Sequence, residues 1–218
     1  MTQLEIVGDG VGHTGKDWFY TDIVKDHFFH PRNIFKTAEE VKEFNADGVG
    51  LVGSPACGDG MKLFIKVKDD KIVDVKWQTY GCGTAIASTS AFSVMLLDKG
   101  GLSIEKALKI KPKDIADYLG GIPPRKFHCS VLADKAFREA VNDYFKKSGQ
   151  LERVVEGSAK IIDKILKITD HDIEHAVLEG AYDLEAVQRK TKVGIHDKEC
   201  IPIVEKLIKT YKEKYFGE

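Results

Sequence analysis

The sequence predicts a fold that combines one small antiparallel sheet with many helices. Apolar and basic residues alternate with period two over 62–68, where Phe64 alone breaks the polar face, and apolar and polar residues alternate over 73–78. Both patterns are typical of half-buried strands. Asp69-Asp70-Lys71 lies between these runs and suits a hairpin turn. We therefore expect antiparallel strands within 48–78, with one face buried and the other wet or covered by a helix.

Helix start and stop signals divide most of the remaining chain. Pro31 stops the first predicted helix, and Gly100-Gly101 stops a largely buried one that begins after Cys82. Pro112 suits the first position of a helix, and Gly120-Gly121 suits its end. The predicted helices are 18–29, 85–97, 103–108, 112–119 and 131–145, with 36–44 as a loop or short helix.

The length and charge of the chain bound its organisation and partners. Its 218 residues allow one generous domain, or one domain and a small second one. We predict a flexible tail over 1–16, a main domain over 17–149, and a module over 150–218 that is helical in pattern and lacks strand alternation. The 33 basic and 34 acidic residues nearly cancel, so neither nucleic acid nor an anionic membrane is an expected partner.

The sequence shows no sign of a membrane span or of a targeting segment. No apolar run of about 18 residues is present, and the tail resembles neither a secretory signal nor a mitochondrial presequence. We therefore expect a cytoplasmic protein. Its four scattered cysteines are too few for a disulfide framework, and a reducing compartment favours metal or catalytic roles over cross-links.

Three of the cysteines have distinctive neighbours. Cys57 precedes Asp59 by two residues, Cys82 lies between two glycines, and Cys129 follows His128. Thiolates are soft ligands that select zinc, copper(I) or iron–sulfur clusters. Three thiols with a carboxylate and an imidazole supply enough ligands for one tetrahedral metal or cluster shell.

The local context of these cysteines supports function over simple burial. We expect Cys82 where a strand gives way to a helix, and Cys129 just before the helix predicted over 131–145. A helix N-terminus stabilises anions and lowers the pKa of a thiol. A single cysteine is most often a small buried residue of the core, but here that explanation would have to hold for all three cysteines.

The residue pattern leaves a zinc site and a 2Fe–2S cluster as alternatives. Neither a Cys-x-x-Cys pair nor a His-x-x-x-His pair marks a structural zinc site near these cysteines. A carboxylate is a weaker ligand than a fourth thiolate for an iron–sulfur centre, which suits a cluster that is built and then given away.

At these residues the chain resembles the NifU/IscU-type scaffold for iron–sulfur cluster assembly, continuously over about 17–145. The motifs that carry the resemblance are DHFFHPRN (26–33), NADGVG (45–50), ACGD (56–59), YGCGTAIAS (80–88) and IPPRKFHCS (122–130). The resemblance implies an α+β fold with a small antiparallel sheet packed against helices. It also implies a carrier, not a turnover enzyme. Such a carrier takes sulfur from a cysteine desulfurase and iron from a donor, and passes a transient 2Fe–2S cluster to acceptor proteins.

The resemblance assigns a role to each candidate ligand. Cys57, Cys82 and Cys129 match the cluster-ligand cysteines of the family. Asp59 matches the carboxylate associated with cluster lability, and His128 matches an alternative ligand. Cys129 also matches the thiol that accepts persulfide sulfur, which suits a thiolate on an exposed loop.

The loop before the last cysteine differs from that of IscU-type members. There it carries a Leu-Pro-Pro-Val-Lys motif that a dedicated Hsp70-type chaperone recognises, and here it is IPPRK (122–126). Arg125 in place of valine puts that chaperone interaction in doubt. By resemblance, Lys126 lies in the loop that tunes the site.

The stretch 168–208 resembles the domain that follows the scaffold domain in NifU proteins. That domain is similar to bacterioferritin-associated ferredoxin and holds a permanent 2Fe–2S cluster with four cysteines. Alignment by eye puts these residues at the four cysteine positions: Asp163, Ile165, Asp197 and Cys200. One thiol of four cannot hold the usual cluster. We expect a degenerate module kept for packing, for dimerisation into a homo-oligomer or for partner docking. His171 and His175 share a helix face there and are expected in solvent.

Two other functional classes use the same residues. A zinc-binding structural or regulatory protein would retain zinc tightly, although vacant thiolate sites of a scaffold also scavenge zinc. An enzyme with Cys129 or Cys57 as nucleophile would use His128 as base. His128 and Cys129 are sequence neighbours, however, whereas such dyads usually meet from separate segments.

Overall fold

The computed structural model describes residues 20–54, 59–123, 126–154 and 160–217, and of residues 54 and 59 the backbone alone. The tail expected over 1–16 lies outside these ranges. The helices are α1 (Asp22–Phe29), α2 (Ala38–Glu43), α3 (Gly83–Leu96), α4 (Ile104–Ala107), α5 (Pro112–Tyr118), α6 (His128–Lys147), α7 (Asp170–Leu178), α8 (Leu184–Thr191) and α9 (Ile201–Phe216). The strands are β1 (Gly48–Ser54), β2 (Asp59–Lys68), β3 (Lys71–Tyr80), β4 (Ile161–Asp163) and β5 (Ile168–Thr169).

Strands β1, β2 and β3 form one antiparallel sheet in that order. Asp69 and Asp70 join β2 to β3 with φ angles of 52° and 59°. Two successive residues with positive φ are typical of the hairpin turn whose twist matches that of paired strands. The prediction of antiparallel strands joined by a hairpin is confirmed.

One face of this sheet carries the main core. Met61, Leu63 and Trp77 are fully buried there, and α3 and α6 cover them. Phe92 of α3 meets Phe137 of α6 edge to face, with ring centroids 5.5 Å apart. On the other face a smaller cluster beside α2 buries Phe35, Phe44 and Phe64. The sheet and its helices match the α+β class expected from the resemblance.

Two glycines let α6 lie directly on β1. A Cβ on Gly48 would be 2.2 Å from the carbonyl oxygen of Ala140, and one on Gly50 would be 1.9 Å from that of Ala136. Both distances are far below van der Waals contact, so no larger residue fits without moving the helix. This close approach determines the height of α6 above the sheet and, with it, the position of its first turn.

The start of α6 differs from the prediction. The helix begins at His128, not at 131, so Cys129 lies inside its first turn instead of just before it. Cys129 is also fully buried, which corrects the expectation of an exposed loop thiol. His128, Cys129 and Ser130 are all buried, so this turn lacks the polar face by which an amphipathic helix is recognised in sequence.

The C-terminal module has its own core and is mostly helical. Ile173, Val177, Val187 and Val204 are fully buried between α7, α8 and α9. The module also contains the two-stranded antiparallel sheet β4–β5, which corrects the expectation of a module without strands. Strands of three and two residues are too short for an alternation to show in sequence.

The Asp163 side chain organises the end of β4. It accepts hydrogen bonds from the backbone N–H groups of Ile165 and Leu166, at 2.9 and 2.8 Å, and from that of Gly194 at 2.9 Å. A buried carboxylate bonded to three N–H groups holds the turn after β4 against the loop that precedes α9.

In the described ranges, no helix is long and apolar enough to cross a membrane.

Candidate metal centre

Two of the predicted ligands meet although 47 positions separate them in sequence. The Sγ atoms of Cys82 and Cys129 lie 3.5 Å apart. Two sulfurs bound to one tetrahedral metal at about 2.3 Å would be roughly 3.8 Å apart. The observed separation is within a few tenths of an ångström of that value, so both thiolates can bind one metal ion with little movement.

Each sulfur belongs to the start of a helix. Cys82 is the N-cap residue of α3, with the extended backbone conformation of a cap, and Cys129 is the second residue of α6. Neither of these two described helices has an acidic residue in its first turn. The positive ends of two helix dipoles therefore converge on the sulfur pair and favour its anionic form.

His128 is buried next to Cys129 in the first turn of α6. The residue is 8% exposed, and its Nδ1 has no hydrogen-bond partner among the described residues. Burial, and then the neighbouring His175, hold the pKa of His128 below its ordinary value, while Glu179 and Cys82 act in the opposite direction. The ring is therefore neutral near pH 7, which is the form that binds metals.

The buried Nδ1 atom of His128 has no partner among the described residues. A buried polar atom without a partner typically destabilises a fold by about 1–3 kcal/mol. Such atoms in a native structure point to a catalytic role or to a missing water or ion. Binding to a metal would satisfy the atom.

The structure does not describe the side chains of the other two predicted ligands, Cys57 and Asp59. Cys57 lies outside the described residues, and of Asp59 only the backbone is described, at the start of β2 opposite Ser54. No group of three or more His, Cys, Asp or Glu residues within the described ranges is arranged to hold a metal ion. The membership of Cys57 and Asp59 in the site stays a prediction.

The four positions aligned with ferredoxin cysteines have other roles. Asp163 binds backbone N–H groups, as described above, and these bonds lower its pKa. Cys200 is buried, and its thiol donates a hydrogen bond to the carbonyl oxygen of Asp197 at 3.0 Å. Burial raises the pKa of Cys200, which disfavours the thiolate that a cluster needs. Ile165 is 60% exposed and has no ligand atom.

Sequence reasoning missed one residue beside the site. His175 was expected in solvent, but its side chain is 21% exposed and its ring lies 5.6 Å from that of His128, centroid to centroid. Its spacing from His171 was visible in the sequence. Its proximity to His128 depends on the docking of α7 beside α6, which no local pattern encodes.

A model of the family described as "NifU-like N terminal domain" matches residues 19–151. The chain belongs to this family. A relative of this NifU-like chain, the iron-sulfur cluster assembly scaffold protein IscU 1 of Archaeoglobus fulgidus, is 46% identical over 155 residues, or 70% of this chain and 95% of that protein. The scaffold protein IscU of Azotobacter vinelandii is 46% identical over 131 residues, or 60% of this chain and 97% of that protein.

A third relative is similar beyond the NifU-like N-terminal region. The nitrogen fixation protein NifU of Nostoc sp. is 36% identical over 199 residues, or 90% of this chain and 65% of that protein. A match to 90% of the chain extends past residue 151. The similarity therefore includes part of the C-terminal module, while the chain spans just under two thirds of that relative.

Proposed function

We propose that the protein is a scaffold on which a labile 2Fe–2S cluster is built and from which it passes to acceptor proteins. The observation that carries the proposal is the meeting of Cys82 and Cys129 at 3.5 Å, where the N-termini of α3 and α6 converge. Paired thiols at two positive helix ends suit an anionic iron–sulfur cargo. The names of the IscU and NifU relatives support the same role.

We assign the ligands as follows. Cys82 and Cys129 bind the cluster from the two helices, and Cys57 and Asp59 complete the shell. His128 is the alternative ligand, supported by its neutral, buried ring. Asp59 keeps the cluster labile, since a carboxylate binds iron–sulfur clusters more weakly than a thiolate does.

Sulfur transfer assigns a second role to Cys129. Its thiolate attacks the outer sulfur of a persulfide on a cysteine desulfurase. A new S–S bond then forms on Cys129, the S–S bond of the donor breaks, and the donor leaves as a thiolate. Because Cys129 is fully buried while Cys82 is partly exposed, the donor must approach from the side of Cys82 or the site must open.

The other partners and the location follow from the same role. We propose apo iron–sulfur proteins as acceptors. The effect of Arg125 on chaperone binding stays a prediction, because Arg125 is outside the described residues. We propose a reducing compartment such as the cytoplasm, because thiolate ligands must stay reduced to bind a cluster.

The test is anaerobic reconstitution of zinc-free protein with ferrous iron, cysteine and a cysteine desulfurase, followed by absorption and Mössbauer spectra. Cys82→Ser and Cys129→Ser should each retain roughly a tenth or less of the wild-type cluster, since each removes a direct ligand. Cys200→Ser is the matched control, because it changes a buried thiol of the C-terminal module and should assemble a normal amount of cluster.

Two results would overturn the proposal. One is a wild-type protein that forms no transferable 2Fe–2S cluster and instead binds zinc tightly and is stabilised by it. The other is normal cluster assembly by both site variants. In the supporting case, the cluster also moves from the wild-type protein to an apo-ferredoxin, followed by circular dichroism.

A further inference from the structure

We propose that His175, which belongs to the C-terminal module, is a positioning residue of the cluster site and sets the orientation of the His128 ring. The inference rests on the proposed function. Its basis is a direct contact between the two modules: the rings of His128 and His175 are 5.6 Å apart and inclined by 45°. Both residues line a cavity of about 790 Å³ between α6 and α7.

His175 has a carboxylate close to its ring. Its Nδ1 lies 3.6 Å from a carboxylate oxygen of Glu179, the C-cap residue of α7. The other carboxylate oxygen of Glu179 binds the Nζ of Lys190 at 2.6 Å. The separation of 3.6 Å is longer than a hydrogen bond, so the Glu179 carboxylate acts on the His175 ring through its charge.

Contacts on both sides of His175 dock α7 and α9 against the start of α6. Glu174, the preceding residue, is 3% exposed and forms an ion pair with Lys135 of α6. Phe127, which precedes His128, packs against Tyr215 and Phe216 of α9 at ring distances of 6.3 and 5.7 Å.

The two contacts limit the freedom of both histidines. Charge pairing holds α7 on one side and aromatic packing holds the N-cap of α6 on the other. The ring of His175 therefore stays opposite that of His128 while the modules are docked. Without it, the ring of His128 would face open cavity on that side.

The chemical consequence concerns the orientation and tautomer of His128. Its Nδ1 is buried without a described hydrogen-bond partner, so no hydrogen bond from a described residue to that atom determines how the ring is turned. Among the groups that act on His128, His175 is the one whose ring is recorded in contact with it, and Glu179 adds a negative charge near both histidines. A correctly turned ring keeps its free nitrogen available to the cluster, so loss of His175 should weaken His128 as a ligand.

The first measurement uses the full-length, metal-free protein. The tautomer of the His128 ring is read from its side-chain ¹⁵N chemical shifts in wild type, His175→Ala, His175→Gln and His171→Ala. His171 lies on the same helix and lines the same cavity, so His171→Ala is the matched control. We expect His175→Ala to mix the two tautomers, His175→Gln to restore part of the wild-type population, and His171→Ala to match wild type.

The second measurement is the lifetime of the reconstituted 2Fe–2S cluster in the same variants. Removing an outer-shell partner of a metal ligand typically weakens metal binding by roughly 10–100-fold, so we expect cluster loss from His175→Ala to be about tenfold faster. Far-ultraviolet circular dichroism checks that each variant is folded.

Three outcomes overturn the positioning role. They are a wild-type tautomer in His175→Ala, a wild-type cluster lifetime in that variant, and an equal effect of His171→Ala. If the wild-type protein forms no cluster, the proposed function fails, and the tautomer measurement still decides whether His175 orients His128.

Discussion

Gly50→Ala should displace α6 and weaken the cluster site from a distance. The added Cβ would lie 1.9 Å from the carbonyl oxygen of Ala136 and 2.5 Å from the backbone nitrogen of Ala140. Both neighbours are backbone atoms of α6, so no side-chain rotation relieves the overlap. Restoring contacts of about 3.4 Å requires the helix and the strand to separate by roughly 1 Å or more.

The expected cost is at the upper end of that for overpacking. Overpacked cores lose about 1–3 kcal/mol, while replacing glycine by alanine in a compatible conformation gains about 0.4–1 kcal/mol through the unfolded chain. We expect a net loss of about 2 kcal/mol for Gly50→Ala. In a protein of this size such a loss lowers Tm by roughly 4–8 °C.

Thermal unfolding and cluster reconstitution together check this prediction. Gly60→Ala is the control, because Gly60 lies in β2 and an added Cβ there meets no described atom within 4 Å. It should unfold at or slightly above the wild-type temperature. Because α6 carries Cys129, Gly50→Ala should also form less cluster. A Gly50→Ala protein as stable as Gly60→Ala would refute the close packing of α6 on β1.

Two further predictions concern carboxylates. Burial alone would raise the pKa of Glu174, but Lys135, Tyr215 and Lys214 hold it at about 2 against an ordinary 4.5. This contributes roughly 3 kcal/mol of stability above pH 4.5 that is lost as the pH falls towards 2. Urea unfolding between pH 7 and pH 3 should therefore show a shallower pH dependence for Glu174→Gln than for wild type, and equal slopes would contradict the assignment. For Asp59→Ala, loss of the weak ligand should prolong the cluster lifetime and slow its transfer to an apo-ferredoxin, followed by circular dichroism; an unchanged transfer rate would remove Asp59 from the mechanism.

Features that depend on a few neighbouring residues were predictable from the sequence. Asp69 and Asp70 mark the hairpin because short polar residues tolerate positive φ. The sequence predicts Cys82 where a strand gives way to a helix, and Cys82 is the N-cap of α3. The family also followed from the sequence, because several motifs occur in the same order along the chain.

The start of α6 was not predictable in the same way. Helix boundaries are recognised by a change from a polar to an amphipathic pattern. His128 and Cys129 are buried by segments distant in sequence, so their helical state left no such pattern. The same burial makes Cys129 less accessible than a loop thiol.

The sequence by itself determined which helices and strands the main domain contains, apart from the start of α6. It also determined the candidate thiols and the family, because periodicity, caps and motifs are local properties of the chain. Only the tertiary structure decided that Cys82 and Cys129 lie 3.5 Å apart and that His175 faces His128. Both contacts join residues more than forty positions apart. They depend on the height of α6 above β1 and on the docking of α7 and α9, which result from packing over the whole molecule.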